Sequence, residues 1–394
     1  MSVSQSASRP SSPCSAGGGG EPGSSGLLAL LRRLPDPRKP RGRQFELSFV
    51  LAVSVVAALA GASSFRQIAD QACDLPQDLL AGLGAKWNWF TSRFQCPSRS
   101  VIRRVLTGVD AEELDRLIGE WLLEQAEGEG RTEMAIALDG KVLRGAWTDD
   151  NDQVTLFSAM LHHEAVTIAQ VRVPDGTNEI TQVKRLLDTV DVPADTAVVV
   201  TVDAAHTQTE TAEYLKGTRG FDYVMTVKGN QPGLEKAVAG SLGKVVAETP
   251  HNLVEERNRG KIRRWSCWIT DTHDVEFPHI ARAACIRRDV LDVFGNHLTK
   301  EVALVITSRK ESTAADFHHY VREHWGIENK NHYIRDTVWR EDAHQAYRGS
   351  GPHTLAILRN LAIGLLRLHG VHRIKETTEY ISRDRNRALP YLLL

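Results

Sequence analysis

The sequence predicts an α/β fold in which helices flank a mixed β-sheet, with an all-helical region before it and a β-rich insertion within it. Three observations support this prediction. Apolar residues recur at helical spacing up to about residue 128. Short β-branched runs then alternate with helical segments, and a further group of strand-like runs lies between residues 232 and 310. A chain of 394 residues is long enough for two or three domains.

Composition indicates a soluble globular protein, because 42% of the residues are hydrophobic and 25% are charged. The net charge is -1, so the chain as a whole has no basic field that would attract a nucleic acid. Any contact with DNA must therefore come from local basic clusters, although such clusters are commonly only solvated faces. The sequence contains three: Arg32, Arg33, Arg38, Lys39, Arg41 and Arg43; Arg257, Arg259, Lys261, Arg263 and Arg264; and Arg373, Lys375, Arg383, Arg385 and Arg387.

Cysteine usage and the longest apolar run indicate a cytoplasmic protein. The five cysteines are scattered, without CxxC or metal-finger spacing, as expected for a reducing compartment. The apolar stretch 47–62 is shorter than the roughly 20 residues that a membrane-spanning helix needs. We expect it to be a buried core helix, and we expect no membrane association.

The first 130 residues divide into two predicted parts. Residues 1–26 are rich in Ser, Gly and Pro and are predicted to be disordered. Residues 27–130 form the predicted all-helical domain, with helices over 27–31, 47–62, 64–72 and 98–125. Ser98 is a plausible N-cap of the last helix. That helix, with Arg103 and Arg104, either reads DNA as part of a helix-turn-helix or simply packs against 47–62.

The remaining chain has the element order of a ribonuclease-H-like domain. Its first part, residues 131–231, has predicted strands at 134–138, 155–161, 166–173, 196–202 and 223–227, with helices at 178–190 and 209–217. The predicted insertion, residues 232–310, has strands at 265–269, 281–290 and 301–307. The second part, residues 311–372, has helices at 312–338 and 354–368, and residues 373–394 form a basic tail.

Three acidic residues stand out by their positions. Asp139 and Asp203 each follow a predicted strand, and Glu328 lies in the predicted helix 312–338. Carboxylates converging from such positions can hold two hard divalent cations, which clamp the attacking and leaving oxygens of a phosphoryl displacement. The pattern predicts a polynucleotidyl transferase. Taken singly, an Asp after a strand more often forms a turn or cap, and a Glu on a helix is usually a surface residue.

The segments around these acids resemble a known family. Residues 138–145 (LDGKVLRG), 201–204 (TVDA), 227–231 (VKGNQ) and 322–329 (REHWGIEN) look like the DDE transposases of bacterial insertion sequences, in the branch with the H-repeat-associated proteins. The resemblance runs from about residue 27 to the C-terminus. It implies a ribonuclease-H-like core, a β-rich insertion before the third acid and an associated helical domain. It also implies a catalytic set of Asp139, Asp203 and Glu328 with Mg²⁺, for which Mn²⁺ can substitute.

The neighbours of the three acids are candidates for binding DNA. At 100° per residue, Arg335 falls on the Glu328 face, and a guanidinium suits phosphate, so Arg335 is the predicted phosphate clamp. The other predicted DNA contacts are Lys141, Arg144, Lys228, Arg263, Arg264 and Arg322. His206 either supports Asp203 or begins a helix. His324, Glu328 and His332 also fit a zinc-binding face, a less favoured alternative.

The sequence therefore predicts an insertion-sequence transposase that cuts and joins double-stranded DNA, acting on the terminal inverted repeats of its element and on a target. Two element ends must meet in one complex, so we expect a homodimer on DNA, associated with the nucleoid. Two alternatives stay open. One is a nuclease of the same fold without strand transfer, and the other is a DNA-binding relic without catalysis.

Overall fold

The computed structural model describes residues 26–126, 131–147, 152–343 and 349–392. Apart from Gly26, the segment predicted to be disordered lies outside these ranges. Within them, six helices precede the main sheet, and they form the predicted all-helical region: α1 Leu27–Arg32, α2 Leu47–Leu59, α3 Phe65–Cys73, α4 Gln77–Gly82, α5 Arg99–Gly108 and α6 Ala111–Ala126.

The apolar stretch around residue 50 is a core helix, as predicted. Every residue of α2 is buried, so its side chains face protein on all sides. None of the helices in the described ranges is long and apolar enough to cross a membrane.

The prediction of one helix over 98–125 is wrong, because the chain breaks between α5 and α6. Ser98 caps α5 by accepting a hydrogen bond from the Val101 amide. Val109 is extended, and the Asp110 carboxylate then accepts from the amides of Glu112 and Glu113, both at 3.1 Å. An Asp that satisfies the first free amides of a helix starts a new one.

A small antiparallel hairpin, which the sequence did not predict, lies between α4 and α5. Its strands are β1 Trp87–Asn88 and β2 Arg93–Phe94. Two residues per strand are too few for an alternating pattern to be visible in the sequence.

The main sheet has nine strands in the described residues: β3 Glu133–Trp147, β4 Gln153–Leu161, β5 Thr167–Arg172, β6 Ala197–Val202, β7 Asp222–Val227, β8 Asn252–Asn258, β9 Lys261–Asp271, β10 Arg282–Asp292 and β11 His297–Thr307. Their order is β5-β4-β3-β6-β7-β11-β10-β9-β8. Strands β3 to β5 form an antiparallel meander, and β6 and β7 continue it in parallel with β3. This half of the sheet has the predicted ribonuclease-H-like order.

One strand prediction needs correction. Strand β3 continues through Asp139 as far as Trp147, so Asp139 lies inside a strand, opposite Ser158 of β4, and does not end one. The predicted β-rich insertion extends the main sheet, because β11 pairs with β7 from Leu304↔Val227 to Thr307↔Val224. Strand β8 was not predicted.

Seven further helices surround the sheet in the described ranges: α7 Val183–Asp188, α8 Thr209–Ala212, α9 Pro232–Leu242, α10 Ala314–His324, α11 Tyr333–Val338, α12 Gly351–Leu368 and α13 Ile374–Arg383. The predicted helix 178–190 begins as a 3₁₀ turn, and the predicted helix 312–338 is divided by a π-helical turn, Glu328–His332. Helix α9 and, in the predicted basic tail, helix α13 were not predicted.

The helical region and the sheet share one hydrophobic core. Helix α6 packs on β5 so closely that a Cβ on Gly119 would lie 2.0 Å from the Ile168 carbonyl oxygen, which explains the glycine. On its other side α6 meets α12, in which the residues from Gly351 to Leu366 are all buried. The helical region is therefore packed onto the sheet as part of one body.

Candidate active site

The three predicted acids line one pocket. Asp139 of β3, Asp203 directly after β6 and Glu328 at the start of the π-helical turn surround a cavity of about 200 Å³. Asp139 and Asp203 come from adjacent parallel strands, and Glu328 reaches the same place from the helical segment after α10. Lys228 and the half-exposed Trp325 complete the rim.

Asp203 forms a turn as well as lining the pocket. One carboxylate oxygen accepts hydrogen bonds from the amides of Ala205 and His206, at 3.0 Å and 3.2 Å. These bonds fix the direction in which the side chain leaves the end of β6. A carboxylate has several lone pairs, so the turn leaves it able to bind a further cation.

Asp139 is affected by the charges of the other acids. Its Oδ1 accepts from the Gly140 amide at 2.9 Å, and its Oδ2 lies 3.5 Å from Nδ1 of His332. Burial, together with the charges of Glu328, Asp203 and Glu179, raises the pKa of Asp139 to about 7. The pocket therefore brings several carboxylates together, with the exposed Lys228 on its rim.

The residues present fit divalent cations by donor type and charge. Hard cations take carboxylate oxygens, and an uncompensated carboxylate cluster is electrostatically suited to them. In the described part of the chain, no three His, Cys, Asp or Glu side chains already stand at metal-binding distance. The carboxylates would have to move closer together to hold a cation, since like charges repel one another when no cation lies between them. The alternative zinc ligands, His324, Glu328 and His332, likewise do not stand at metal-binding distance from one another.

His324 is held from behind by a hydrogen-bonded chain. Its Nδ1 lies 2.9 Å from Oγ1 of Thr201, which in turn lies 2.9 Å from Nε2 of His162. Burial lowers the pKa of His324 to about 4 and that of His162 to about 3. Sequence reasoning missed the contributions of His162 and Glu179; for Thr201 the signal was its place in the TVDA segment.

Most of the predicted DNA-binding cations have accessible side chains. Lys228 lines the acidic pocket and is exposed, and Arg144 is exposed, 3.4 Å from Asp342. The other three, Arg263, Arg264 and Arg322, are half-buried on or beside the outer strands. There Arg264 pairs with Glu255 at 3.0 Å, and Arg322 pairs with Glu256 and lies over the Trp265 ring.

Two predicted DNA contacts need correction. Arg335 is fully buried and its Nη2 lies 2.8 Å from Glu341, so no phosphate reaches it. The π-helical turn before it adds a residue to the helix, which invalidates the angle calculated at 100° per residue. Lys141 is also buried, with its Nζ 2.7 Å from Asp336, because β3 continues into the fold past Asp139.

His206 is buried as well. Its ring stacks on Phe157 with 4.8 Å between centroids, and its Nε2 lies 3.5 Å from Glu179. It therefore lies between a core aromatic and a carboxylate whose charge acts on Asp139, which is a supporting position.

Two family descriptions match the chain. Residues 28–122 match the family described as DDE_Tnp_1-associated, and residues 131–365 match the family described as Transposase DDE domain. The first match ends at residue 122, inside α6, and the second begins at residue 131, just before β3.

Curated relatives match over most of their length. "Putative transposase YncI" of Escherichia coli O157:H7 is 26% identical, over 86% of this chain and 87% of the relative. "H repeat-associated putative transposase YhhI" of Escherichia coli K12 is 24% identical, over 86% and 90%. A solved piggyBac transposase synaptic complex with hairpin DNA shares 10% identity, covering 93% of this chain and 78% of that one, with a TM-score of 0.39. The DDE-domain match alone spans more than half of the chain, and the protein therefore belongs to the DDE family of insertion-sequence DNA transposases.

Proposed function

We propose that this transposase cleaves the ends of its element and transfers the freed strands to target DNA, with Asp139, Asp203 and Glu328 as its catalytic carboxylates. The observation that supports this assignment is the convergence of the three acids on one cavity. The raised pKa of Asp139 supports it too, since burial and neighbouring carboxylates cause it and a bound cation would relieve it.

Divalent cations, Mg²⁺ or in its place Mn²⁺, would supply positive charge at the attacking and leaving oxygens when bound by these carboxylates. The chain's own residues prepare that binding. The amides of Ala205 and His206 orient the Asp203 carboxylate, and the Gly140 amide orients Asp139. Lys228, on the rim, is placed to hold a phosphate oxygen of the strand that enters the pocket.

The reaction has two displacements at phosphorus. In the first, a water oxygen bonds to the scissile phosphorus and the strand's 3′-oxygen leaves as a hydroxyl. In the second, that 3′-hydroxyl oxygen attacks a phosphorus of target DNA, and a target 3′-oxygen leaves. The same three carboxylates serve both steps, because the charge that develops on the phosphoryl oxygens is alike.

The test uses the full chain, Mg²⁺ and a plasmid that carries the element with its own ends. Wild type is expected to nick at the ends and to give joined donor–target products, and Asp203→Asn is expected to give neither. Asp195→Asn is the matched control, because Asp195 is exposed just before β6, at the opposite end of that strand. Cleavage without joining would favour the nuclease, and wild-type activity no higher than that of Asp203→Asn would favour the relic.

The partners that we propose are double-stranded element ends and target DNA, bound by a homodimer in the nucleoid. The chain carries a net charge of -1, and its basic clusters are separate in the sequence. Two chains together would provide enough basic surface to contact the phosphates of two duplexes. Sedimentation with end DNA is expected to show two protein chains per complex. A strictly monomeric complex would contradict the dimer without affecting the assignment of the carboxylates.

A further inference from the structure

The hairpin between α4 and α5 displays aromatic side chains to solvent. In its turn, Trp89 is 85% exposed and Phe90 is fully exposed, while Trp87 on β1 is 39% exposed. Large apolar side chains grouped at a projecting tip are unfavourable in water and commonly mark a binding surface.

Hydrogen bonds hold this tip in one conformation. The Asn88 side chain accepts from the amides of Phe90 and Thr91, at 2.9 Å and 3.2 Å. The Phe94 amide donates to the Gln77 side chain at 2.7 Å, which ties the hairpin to α4. The Trp87 ring lies edge-on to Phe94, with 4.9 Å between centroids. The aromatic tip is thus presented before any partner arrives, so little ordering entropy opposes binding.

The charged residues of the hairpin and of α5 are all cations, although Asp70, Asp74 and Asp78 lie in or beside the two preceding helices. Between residues 79 and 109 the sequence has five cations and no carboxylate, in a chain whose net charge is -1. Lys86 directly precedes β1 and Arg93 lies in β2, and both are exposed, as are Arg103 and Arg104 on α5. Of the five, Arg99 is paired, with Asp70 at 2.6 Å. Exposed cations beside exposed aromatics match the phosphates and bases of a nucleic acid.

A second exposed tip provides a contrast. Phe294, in the turn between β10 and β11, is 87% exposed. That turn is organised by Asp292, whose carboxylate accepts from the Phe294 and Asn296 amides at 2.9 Å, and Asp289 lies nearby on β10. The Phe294 tip thus has a carboxylate, Asp292, within its turn, whereas the hairpin 87–94 contains Arg93 and no carboxylate. Phe294 therefore serves as a comparison for an exposed aromatic at a turn without a cation of its own.

We infer that the hairpin 87–94 is a DNA-binding wing. Trp89 and Phe90 insert against the base pairs of a duplex, while Lys86 and Arg93 contact the flanking phosphates. The inference rests on the proposed function only for the choice of DNA as the partner. It assigns to the helical region a contact separate from the carboxylate pocket.

The test is a titration of a short fluorescein-labelled, mixed-sequence duplex with the full chain, followed by anisotropy between about 50 and 200 mM salt. The Trp89→Ala, Phe90→Ala variant is expected to bind about tenfold or more weakly, with an unchanged salt slope, because stacking releases no counterions. The Lys86→Gln, Arg93→Gln variant is expected to flatten the slope by about 0.9 for each phosphate that the protein no longer neutralises. Phe294→Ala is the matched control and is expected to bind like wild type.

Three results would overturn the inference: a tip variant that binds like wild type, an equal loss with Phe294→Ala, or a wild type that binds no duplex. Loss of self-association without loss of DNA binding would also overturn it, because the occupant would then be another protein chain. The same titrations in the Asp203→Asn background separate this inference from the proposed function, since they need no cleavage. If the tip variant binds duplex more weakly but the wild type cleaves no DNA, only the proposed function is refuted. If the wild type cleaves DNA but the tip variant binds duplex as tightly as wild type, only the DNA-binding role of the hairpin is refuted.

Discussion

Asp139 in the pocket and Glu341, shortly after α11, are carboxylates in opposite electrostatic states. In the pocket, burial and neighbouring acids raise the pKa of Asp139 to about 7. Burial alone would also raise the pKa of Glu341, but Arg335 and Arg359 outweigh it and hold the pKa at about 2. Glu341 Oε1 lies 2.6 Å from Arg359, which also donates to the Ser63 carbonyl.

The difference shows which carboxylates are neutralised by cations of the chain itself and which are not. Glu341 has both of its cations inside the chain, and they connect the helical region to α11 and α12. The pocket acids have amide donors, a distant imidazole and the exposed Lys228 on the rim. Among the described residues, no buried cation is paired with them as Arg335 and Arg359 are with Glu341. Their charge is therefore suited to balance by a ligand from outside the chain. A compensated buried acid serves the folded state, and an uncompensated group is suited to ligand binding.

The same substitution at the two places should have opposite effects. Glu328→Gln is expected to lower end cleavage by at least about a thousandfold, because the pocket loses a charge that acts at the reacting phosphate. Its free energy of unfolding should stay at or above that of wild type, since one repelling carboxylate is gone. Cleavage assays paired with urea denaturation measure both. Retained cleavage would remove Glu328 from the catalytic set.

Glu341→Gln is expected to lower the free energy of unfolding by about 3–5 kcal/mol, because Arg335 and Arg359 would remain buried without their shared carboxylate. Glu376→Gln is the control. It breaks an exposed pair with Arg373 and should cost less than about 1 kcal/mol. Denaturation midpoints that shift equally would show that the Glu341 cluster adds nothing to stability.

Metal should act on the pocket and not on the Glu341 cluster. Mg²⁺ at a hundredfold excess over its dissociation constant is expected to stabilise wild type by about 2.7 kcal/mol. Thermal melts with and without Mg²⁺ should show this shift for wild type and a much smaller one for Asp203→Asn. An equal shift in both proteins would place the cation elsewhere.

Acid should narrow the stability gap between wild type and Glu341→Gln. The folded pKa of Glu341, about 2, is lower than the ordinary 4.5, so its contribution is complete above pH 4.5. It is lost as the pH falls from there towards about 2. Urea denaturation at pH 7 and at steps below 4.5 measures the gap, and a gap that widens in acid would contradict the assignment.

The smallest expected effect concerns the cations. Lys228→Gln removes an exposed cation from the pocket rim and should flatten the salt dependence of DNA binding by about 0.9 in slope. Lys141→Gln removes a cation that already pairs with Asp336 inside the protein, and it should leave the slope unchanged while lowering stability. A slope change with Lys141→Gln would overturn the buried assignment.

Local patterns predicted much of this fold, because β-branched runs and caps are local signals. The strand before Asp203, the start of the strand before Asp139 and the cap at Ser98 were placed correctly for that reason. Gly140, shortly after the predicted strand 134–138, lies within β3, where a Cβ would meet the Glu179 carboxylate at 1.9 Å.

What failed depended on non-local or irregular geometry. The π-helical turn at Glu328–His332 changes the angle of every later side chain, and regular periodicity cannot reveal it. As a result, Arg335, the predicted phosphate clamp, is buried in the core and does not line the pocket. The pairing of β11 with β7 joins residues about 80 positions apart, and local sequence patterns cannot predict which of several strands will pair at that separation.

Because hydrogen bonds join β7 to β11, the sheet holds β6 and the edge strand β8 at a fixed distance from each other. Five inter-strand steps of about 4.8 Å separate β6, which carries Asp203 at its end, from the edge strand β8. That span of roughly 24 Å is about the length of seven base pairs of duplex at 3.4 Å each. The strands are hydrogen-bonded without a break, so this distance is constant. A duplex lying across them would contact β8 at a fixed number of base pairs from the phosphate beside Asp203.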